Sequence, residues 1–272
     1  MNDTVETAAP LPRRPEPQVR RIAVKDVSEA LVAGIRDFQA APLFGLLFGG
    51  FYALGGILMV LSVRSLGMPW LAYPLAAGFM LIAPFVATGL YEVSRRREAG
   101  EPLGLTSVLS VMWAQRGREL AWMAFVTLFV MIMWLYQVRL LLALFLGFQS
   151  FASVEEFIRV VLTTNEGLMF LLVGHLVGAV LSAILFSLTV VSFPLLLERD
   201  VDFVTAMITS VRAVAQNPVV MLGWAAVIVA LTAVALAPFF LGLLLVLPVL
   251  GHATWHLYRR LVAPEQDVAA RA

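Results

Sequence analysis

The sequence predicts an all-α, polytopic membrane protein with six transmembrane helices. Hydrophobic residues make up 61% and charged residues 14% of the 272 residues, and the mean hydropathy is +0.90. A soluble domain is closer to roughly half apolar and about a quarter charged. Apolar runs of about 20 residues, long enough to cross a bilayer, recur along the chain. An amphipathic segment is repeated ahead of two of these runs.

The repeated segment covers residues 26–42 and 202–218. Its second copy reads DFVTAMITSVRAVAQNP, and Phe203, Ala206 and Met207 begin an i, i+3, i+4 apolar stripe that predicts an amphipathic helix. The proline that ends each copy suits the first position of the helix that follows. The residues common to both copies are Asp26, Ala30, Arg36 and Pro42, which recur as Asp202, Ala206, Arg212 and Pro218.

The apolar runs are assigned to six spans. The run that begins near Leu120 stays apolar to about Leu146, which is longer than a hydrocarbon core of about 30 Å requires. We therefore expect this span to end near Tyr136. The run over 219–250 is also too long for one span, and Pro238 predicts a break into two. The predicted spans are 42–63, 70–91, 120–136, 168–194 and the two halves of 219–250.

Two further segments are predicted as surface helices. Residues 106–118 form a weaker amphipathic stretch that Thr106 can cap, and Arg116 follows ten residues later, as Arg36 follows Asp26. Residues 153–162 begin with a Ser-x-x-Glu capping box and continue with apolar residues at helical spacing. This second helix either lies on the membrane surface or caps the outer ends of the spans.

The distribution of Lys and Arg predicts the topology. Cytoplasmic loops collect positive charge, and six spans place most of these residues on the side that holds both termini. The exceptions are Arg64, Arg139 and Arg159. We therefore expect the N and C termini in the cytoplasm, with residues 1–24 as a disordered tail and residues 262–272 as a second tail.

The hairpins extend the repeat. In the first and third hairpins a proline is followed, at identical spacing, by an aromatic residue and two arginines. These residues are Pro84, Tyr91, Arg95 and Arg96, matched by Pro248, Trp255, Arg259 and Arg260. The chain is thus predicted to contain three units, 26–97, 105–199 and 200–261, each an interfacial helix with a two-span hairpin, all in one orientation.

Composition and spacing exclude several kinds of chemistry. The chain has no cysteine, and therefore no disulfide, thiolate metal site or iron–sulfur cluster. No charged residue is expected near the middle of a span, which argues against an ion-coupled transporter or a pump. Hydroxyl residues could line a path, but we expect most of them to bond to carbonyls of their own helix. They are Thr88, Thr127, Ser182, Ser187, Thr189, Ser192 and Thr232.

Three histidines are the remaining candidates for chemistry. His252 and His256 are four residues apart and share a helix face, as a metal pair requires, but no H-E-x-x-H motif or acidic third ligand surrounds them. His175 lies in another span at a different depth. We expect packed or interface histidines, with lipid headgroups as an alternative environment for His256. The sequence predicts no catalytic residue, metal or cofactor, and no enzymatic activity.

Two sets of residues are predicted to make contacts. Arginines beside the spans are candidates for contact with anionic lipid headgroups or a protein partner, although stop-transfer charge explains the paired ones equally well. They are Arg36, Arg116, Arg212, Arg95, Arg96, Arg259 and Arg260. Small residues four apart predict close helix packing, within one protomer in our preferred interpretation or at a homodimer seam. They are Gly45, Gly49, Gly174, Gly178 and Ser182.

The repeated segments also resemble a known family. Residues 197–218, LERDVDFVTAMITSVRAVAQNP, and residues 22–42 are similar to the bacterial integral membrane family DUF2189, domain of unknown function 2189, and the resemblance covers about residues 19–261. It implies a multi-pass protein of the bacterial inner membrane and brings no established activity or site residue. Some relatives are labelled cytochrome c oxidase, but three histidines without cysteine do not supply the haem and copper ligands of that enzyme.

Two functions remain open at this point. The first is a non-enzymatic accessory or assembly protein, associated with a respiratory complex for example, that binds lipid or a membrane-protein partner through its interfacial helices. The alternative is a permease or channel for a small solute, built around three repeats, which would need polar residues from all three units at one depth. No nucleic-acid partner is predicted.

Overall fold

The chain folds into α-helices joined by short connections. The computed structural model describes residues 16–64, 72–115, 118–147, 151 and 154–264. The helices are α1 (Val24–Ala40), α2 (Pro42–Arg64), α3 (Ala72–Ala99), α4 (Leu105–Gln115), α5 (Arg118–Leu146), α6 (Val154–Thr163), α7 (Asn165–Thr189), α8 (Ser192–Glu198), α9 (Phe203–Gln216), α10 (Pro218–Leu236) and α11 (Leu243–Leu261). Over these ranges the only extended pairing is one isolated bridge, so the predicted all-α class is confirmed.

Four helical stretches in the described part of the chain are long and apolar enough to cross a membrane. They are Pro42–Ser62, Glu119–Leu146, Asn165–Glu198 and Pro218–Leu236. Helix α11 is less apolar because its second half carries His252, His256 and two arginines. The chain is therefore an integral membrane protein with several apolar helices, and the count of six spans stays a prediction.

Prolines begin the helices that follow the two repeated segments. Helix α1 ends at Ala40 and α2 begins at Pro42, while α9 ends at Gln216 and α10 begins at Pro218. Proline has no N–H to lose and its φ is already helical, so the first turn of a helix tolerates it. The predicted starts of these two helices are confirmed.

The break predicted near Pro238 is also present. Helix α10 ends at Leu236 and α11 begins at Leu243. Between them Phe239 and Phe240 adopt positive φ values of 48° and 66°, and this left-handed backbone reverses the chain. The apolar run over 219–250 is thus two helices, as predicted.

Helix α5 differs from its prediction. It runs without interruption from Arg118 to Leu146, so the expected end near Tyr136 is wrong. Gln137 and Arg139 do not end the helix because both are good helix formers. Thr106 lies inside α4, which begins at Leu105, so its predicted capping role is also wrong.

Helix α6 covers the predicted surface helix at residues 153–162 and packs on the start of α7. A Cβ built on Gly167 would lie 2.4 Å from the Val160 carbonyl oxygen, so only glycine allows this approach. The Thr164 hydroxyl caps α7 by accepting the Gly167 N–H at 3.0 Å. Val161 is buried while Ile158 is half exposed. The Ser153 of the predicted capping box lies outside the described residues.

The segment before α1 is fixed to the end of α11. The Arg20 N–H donates to the Leu261 carbonyl at 2.7 Å. The Asn217 side chain accepts the Ile22 N–H at 2.9 Å and donates to the Arg20 carbonyl at 3.1 Å. The prediction of a disordered tail is therefore wrong for residues 18–22, because their backbone groups are paired. Residues 1–15 of that tail lie outside the described residues.

The hydrophobic core lies where α1, α8, α9, α10 and α11 meet. Its largest buried side chains are Trp224, Trp255 and Tyr258, each at most 1% exposed. Helix α8 is buried along its length from Ser192 to Leu197. Helix α11 is thus enclosed by other helices over its second half, and α1 is one of them.

Candidate functional site

Helix α1 rests directly on the backbone of α11. Ala30, Gly34 and Asp37 lie on its buried face. A Cβ built on Gly34 would lie 2.6 Å from the Ala253 nitrogen and 2.7 Å from the Val249 carbonyl oxygen. A side chain at this position would collide with helix backbone, which cannot move aside. The glycine therefore sets the distance between the two helices.

This contact brings together a group of polar side chains, which we call the polar junction: Asp37, Ser94, Arg97, His252 and His256. The Arg97 Nε donates to Asp37 Oδ1 at 2.8 Å. Nε2 of His256 lies 2.7 Å from Asp37 Oδ2, and Nδ1 of His252 lies 2.8 Å from Ser94 Oγ. The polar junction thus joins α1, α3 and α11.

The Asp37 carboxyl group is stabilised in its charged form. Burial by itself would raise its pKa, but hydrogen bonds from His256, Arg97 and Ser94 outweigh burial and lower the pKa to about 2. The Asp37 side chain is 9% exposed, against 31% for Arg97 and 20% for His256. The charge pair is therefore shielded on the Asp37 side and reaches solvent on the Arg97 side.

The two histidines of α11 occupy packed positions. His252 is fully buried, in agreement with the expectation of a packed histidine. His256 binds Asp37, so the alternative of lipid headgroups for His256 is wrong. Over the described residues, no three His, Cys, Asp or Glu side chains form a group that could hold a metal ion.

The arginines at the end of α3 are paired with acids of the same chain. Glu92 is fully buried and accepts Arg95 Nε at 2.7 Å and Arg96 Nε at 2.6 Å. Glu101 lies 3.0 Å from Arg95. The hydrogen bond that Arg95 donates to Glu92, against the smaller opposing effect of burial, raises the pKa of Arg95 above its usual range. Both guanidinium groups are therefore engaged within the fold.

The arginines at the end of α11 are paired in the same way. Arg259 donates to Glu98 at 3.0 Å and also binds Glu198. Arg260 donates to Asp26 at 2.9 Å and to Glu29 at 2.6 Å. Together these pairs link α11 to α1, α3 and α8. The arginines at 259 and 260 thus join helices, whereas those at 95 and 96 are paired within α3 and with the loop that follows it.

Arg36 and Arg212 are placed differently. Both are exposed, each on the face of its helix that is turned away from the core. Arg36 accompanies Val32 and Ile35, which are 47% and 38% exposed. Arg212 is 54% exposed and lies 3.5 Å from Glu16. The third member of this predicted set, Arg116, lies outside the described residues.

The two small-residue faces have different neighbours. A Cβ on Gly45 would lie 2.5 Å from the Phe38 ring, and one on Gly49 would lie 2.9 Å from the Leu243 carbonyl oxygen, so both glycines pack against helices of the same chain. Gly174, Gly178 and Ser182 line a cavity of about 540 Å³ between α5 and α7. A Cβ built on Gly178 would lie 3.0 Å from the Trp134 ring, whereas one built on Gly174 would have no such atom nearer than 4.0 Å.

Sequence reasoning missed the acidic partners of the arginines. One signal was present, because Glu92 lies three and four residues before Arg95 and Arg96, the spacing at which helix side chains meet. The pairs that join Arg260 to Asp26 and Glu29 span 234 and 231 residues, and no local pattern indicates them.

Comparison with known proteins gives one match. No curated protein matches the chain, and no solved structure does. The family model DUF2189, described as predicted integral membrane protein, matches residues 72–198. The match covers α3 to α8 and does not include the repeated segments at 26–42 and 202–218 on which the resemblance was based. Residues 72–198 are thus similar to the DUF2189 family of predicted integral membrane proteins.

Proposed function

We propose that this protein is a non-enzymatic accessory or assembly protein of the bacterial inner membrane, which binds anionic lipid headgroups through the exposed faces of α1 and α9. In this proposal it has six spans in three units of one orientation, with both termini in the cytoplasm. Helices α1 and α9 then lie at the same membrane surface, where anionic lipids attract arginine.

The observation that carries the proposal is the match between the outer faces of these two helices. Val32, Ile35 and Arg36 of α1 occupy the same positions in the repeat as Ile208, Val211 and Arg212 of α9, and all six are exposed. An apolar strip beside an arginine suits a helix that lies in the membrane interface, with the strip in the acyl boundary and the guanidinium at the headgroups.

The internal ion pairs reduce the number of arginines that a lipid headgroup can reach. Arg95, Arg96, Arg259 and Arg260 are engaged with buried or half-buried acids, so a headgroup would have to displace a carboxylate to reach them. Arg36 and Arg212 are the more accessible of the described candidates. The proposal therefore predicts that lipid selectivity depends on these two side chains.

Native mass spectrometry of the delipidated full chain, titrated with dioleoylphosphatidylglycerol and dioleoylphosphatidylcholine, tests this. Arg36→Gln with Arg212→Gln should weaken binding of the anionic lipid about five-fold per arginine and leave the zwitterionic lipid unchanged. The matched control is Arg139→Gln with Arg159→Gln, which removes the same charge from two other exposed sites. Equal loss in both double variants would overturn the proposal.

The accessory role has its own test. A pull-down in mild detergent from native membranes, with mass spectrometry and a visible absorption spectrum, should recover a stoichiometric complex. A respiratory complex with its haem bands would identify the protein that this chain assists. A clean, colourless chain that shows saturable solute uptake in proteoliposomes would favour the permease alternative instead.

The hydroxyl residues give little support to the permease alternative. Several side chains that could line a path donate to carbonyls of their own helix. These bonds are Thr127 to Met123, Ser187 to Ala183, Thr189 to Leu185 and Ser192 to Leu188. A hydroxyl that is engaged in this way is less available to a passing solute. We therefore rank the alternative second.

A further inference from the structure

A half-open cavity of about 540 Å³ lies between α5 and α7, with Val229 of α10 at its edge. Its walls are almost entirely apolar and include the Trp134 indole and Phe170. The volume is within the range of about 300–1,000 Å³ that is typical of small-molecule sites. The cavity exists because α7 places Gly174 and Gly178 where larger side chains would fill it.

A smaller cavity of about 280 Å³ shares Trp134, Gly178 and Ser182 with the first. The Trp134 indole therefore borders both cavities. A molecule with a hydrocarbon portion can occupy such a site without loss of hydrogen bonds, because the walls offer almost none.

His175 is the main polar group of the larger cavity. Its Nδ1 lies 2.7 Å from the Leu171 carbonyl oxygen. A carbonyl oxygen only accepts, so Nδ1 carries the proton of this bond. In the neutral imidazole the other nitrogen, Nε2, is therefore unprotonated and is a hydrogen-bond acceptor. A molecule that binds beside His175 gains if it offers a donor.

His175 also lies well inside α7. It is seven residues after residue 168, where the predicted span begins, which is about 10 Å along the axis at 1.5 Å per residue. A charged molecule at that depth would lose its hydration for little return from apolar walls. The site therefore favours a neutral molecule.

From the cavity and the orientation of His175, we propose that α5 and α7 form a binding site for a neutral, lipid-soluble molecule with a hydroxyl group. The hydrocarbon portion lies against Trp134 and Phe170, and the hydroxyl donates to Nε2 of His175. The absence of side chains at Gly174 and Gly178 provides the space. This site is separate from the exposed faces of α1 and α9 and stands whether or not those faces bind lipid.

The test uses 11-bromo-1-undecanol and its methyl ether, which differ in the hydroxyl donor and in one methyl group, with the full chain in lipid nanodiscs. Each affinity is referred to the partition of that probe into protein-free nanodiscs, because the added methyl group raises partition. Bromine quenches indole fluorescence on contact. We expect saturable quenching that Trp134→Phe removes, and binding of the alcohol about five-fold tighter than of the ether, the effect of one net hydrogen bond. The comparison of alcohol with ether in the wild-type protein can by itself contradict the proposal.

The variants then locate the site. His175→Leu should abolish the difference between alcohol and ether. Gly174→Leu should fill the cavity and remove saturable quenching, because the nearest side-chain atom to a Cβ there is 4.0 Å away and space is open. Gly223→Leu, on α10 with nothing within 4 Å, is the matched control and should bind normally.

Three results would overturn the proposal. Quenching that rises linearly with probe indicates simple partition into the bilayer. Equal affinity of alcohol and ether indicates a hydrocarbon-filled groove in which His175 plays no part. Loss of binding in Gly223→Leu as large as in Gly174→Leu places the probe elsewhere.

Discussion

The polar junction and the α5–α7 pair show two ways in which helices of one membrane protein pack. Around the polar junction, His252, Trp255 and Tyr258 are at most 1% exposed, and ion pairs join α1, α3, α8 and α11. In the most apolar 18-residue window of Asn165–Glu198, by contrast, no residue is buried by the rest of the chain, and in the corresponding window of Glu119–Leu146 only 6% are. Around the polar junction, the space between helices is therefore filled by side chains of the protein itself.

The contrast shows where tight complementarity is required. Beside the polar junction, the backbone of α1 contacts the backbone of α11 at Gly34, and within the junction each charged group has a partner at hydrogen-bond distance. A substitution there therefore meets atoms that cannot move aside. Between α5 and α7, space remains that lipid or a ligand can fill. We therefore expect equal substitutions to have unequal effects in the two regions.

The largest effect is expected for Gly34→Ala. The new methyl group would lie 2.6 Å from the Ala253 nitrogen, so α1 must move away from α11. We expect a loss of about 3 kcal/mol or more in the free energy of unfolding, at the upper end for overpacking. Thermal unfolding followed by tryptophan fluorescence in detergent measures it. A variant as stable as the wild type would refute the close contact.

The next effect is expected for Asp37→Asn, which leaves Arg97 and His256 without their carboxylate. We expect a loss of about 2–3 kcal/mol, below the largest values for broken buried pairs because Arg97 reaches solvent. The pKa of Asp37 is lowered from 3.8 to about 2, so its stabilisation is complete above about pH 4 and is lost as the pH falls toward 2. Unfolding measured from pH 6 to 2 should show a larger loss in the wild type than in the variant, which keeps only the contributions of other carboxyl groups with a lowered pKa, such as Asp26 and Asp202. A parallel loss in the variant would contradict the assignment to Asp37.

A smaller loss of stability is expected for a paired arginine, and almost none for an exposed one. Arg96→Gln removes one of two partners of the fully buried Glu92, and we expect a loss of about 1–2 kcal/mol. Arg36→Gln, on the exposed face of α1, should change stability by no more than about 0.5 kcal/mol. Chemical denaturation of both variants under one condition provides the comparison. Equal effects would mean that the Glu92 pairs contribute nothing.

The smallest effect is expected for Gly174→Ala, which adds the same methyl group as Gly34→Ala. The nearest side-chain atom, of Leu141, lies 4.0 Å from the new Cβ, an ordinary van der Waals distance. We expect stability to be unchanged or raised by up to about 1 kcal/mol, because alanine favours helix over glycine. A loss as large as that of Gly34→Ala would show that α5 and α7 pack more closely than the structure indicates.

Much of this architecture could be predicted from short-range pattern. Pro42 and Pro218 mark the starts of α2 and α10, Pro238 marks the turn before α11, and the spacing of Phe203, Ala206 and Met207 predicts the buried side of α9. Each of these features depends on residues within one or two helical turns. Local sequence is therefore sufficient to place these helix starts, but it orients α9 only in part, because Val211 continues the predicted stripe and is 41% exposed.

The end of α5 and the polar junction could not be predicted in this way. Hydrocarbon thickness bounds a span but does not end a helix, and the helix formers after Tyr136 continue it to Leu146. The partner of Asp37 is 219 residues away in His256. Such a pair is fixed by how α1 and α11 meet, which no pattern within either helix determines.

The same pairing has a consequence for synthesis of the protein. Helix α1 leaves the ribosome early, but the 219 residues between Asp37 and His256 have to follow before α11 can receive it. At about 5–20 residues per second this interval is on the order of ten to forty seconds. During that time the buried face of α1 is exposed to chaperones and proteases. Chains that end before α11 keep it exposed, so docking of α1 marks the completed molecule.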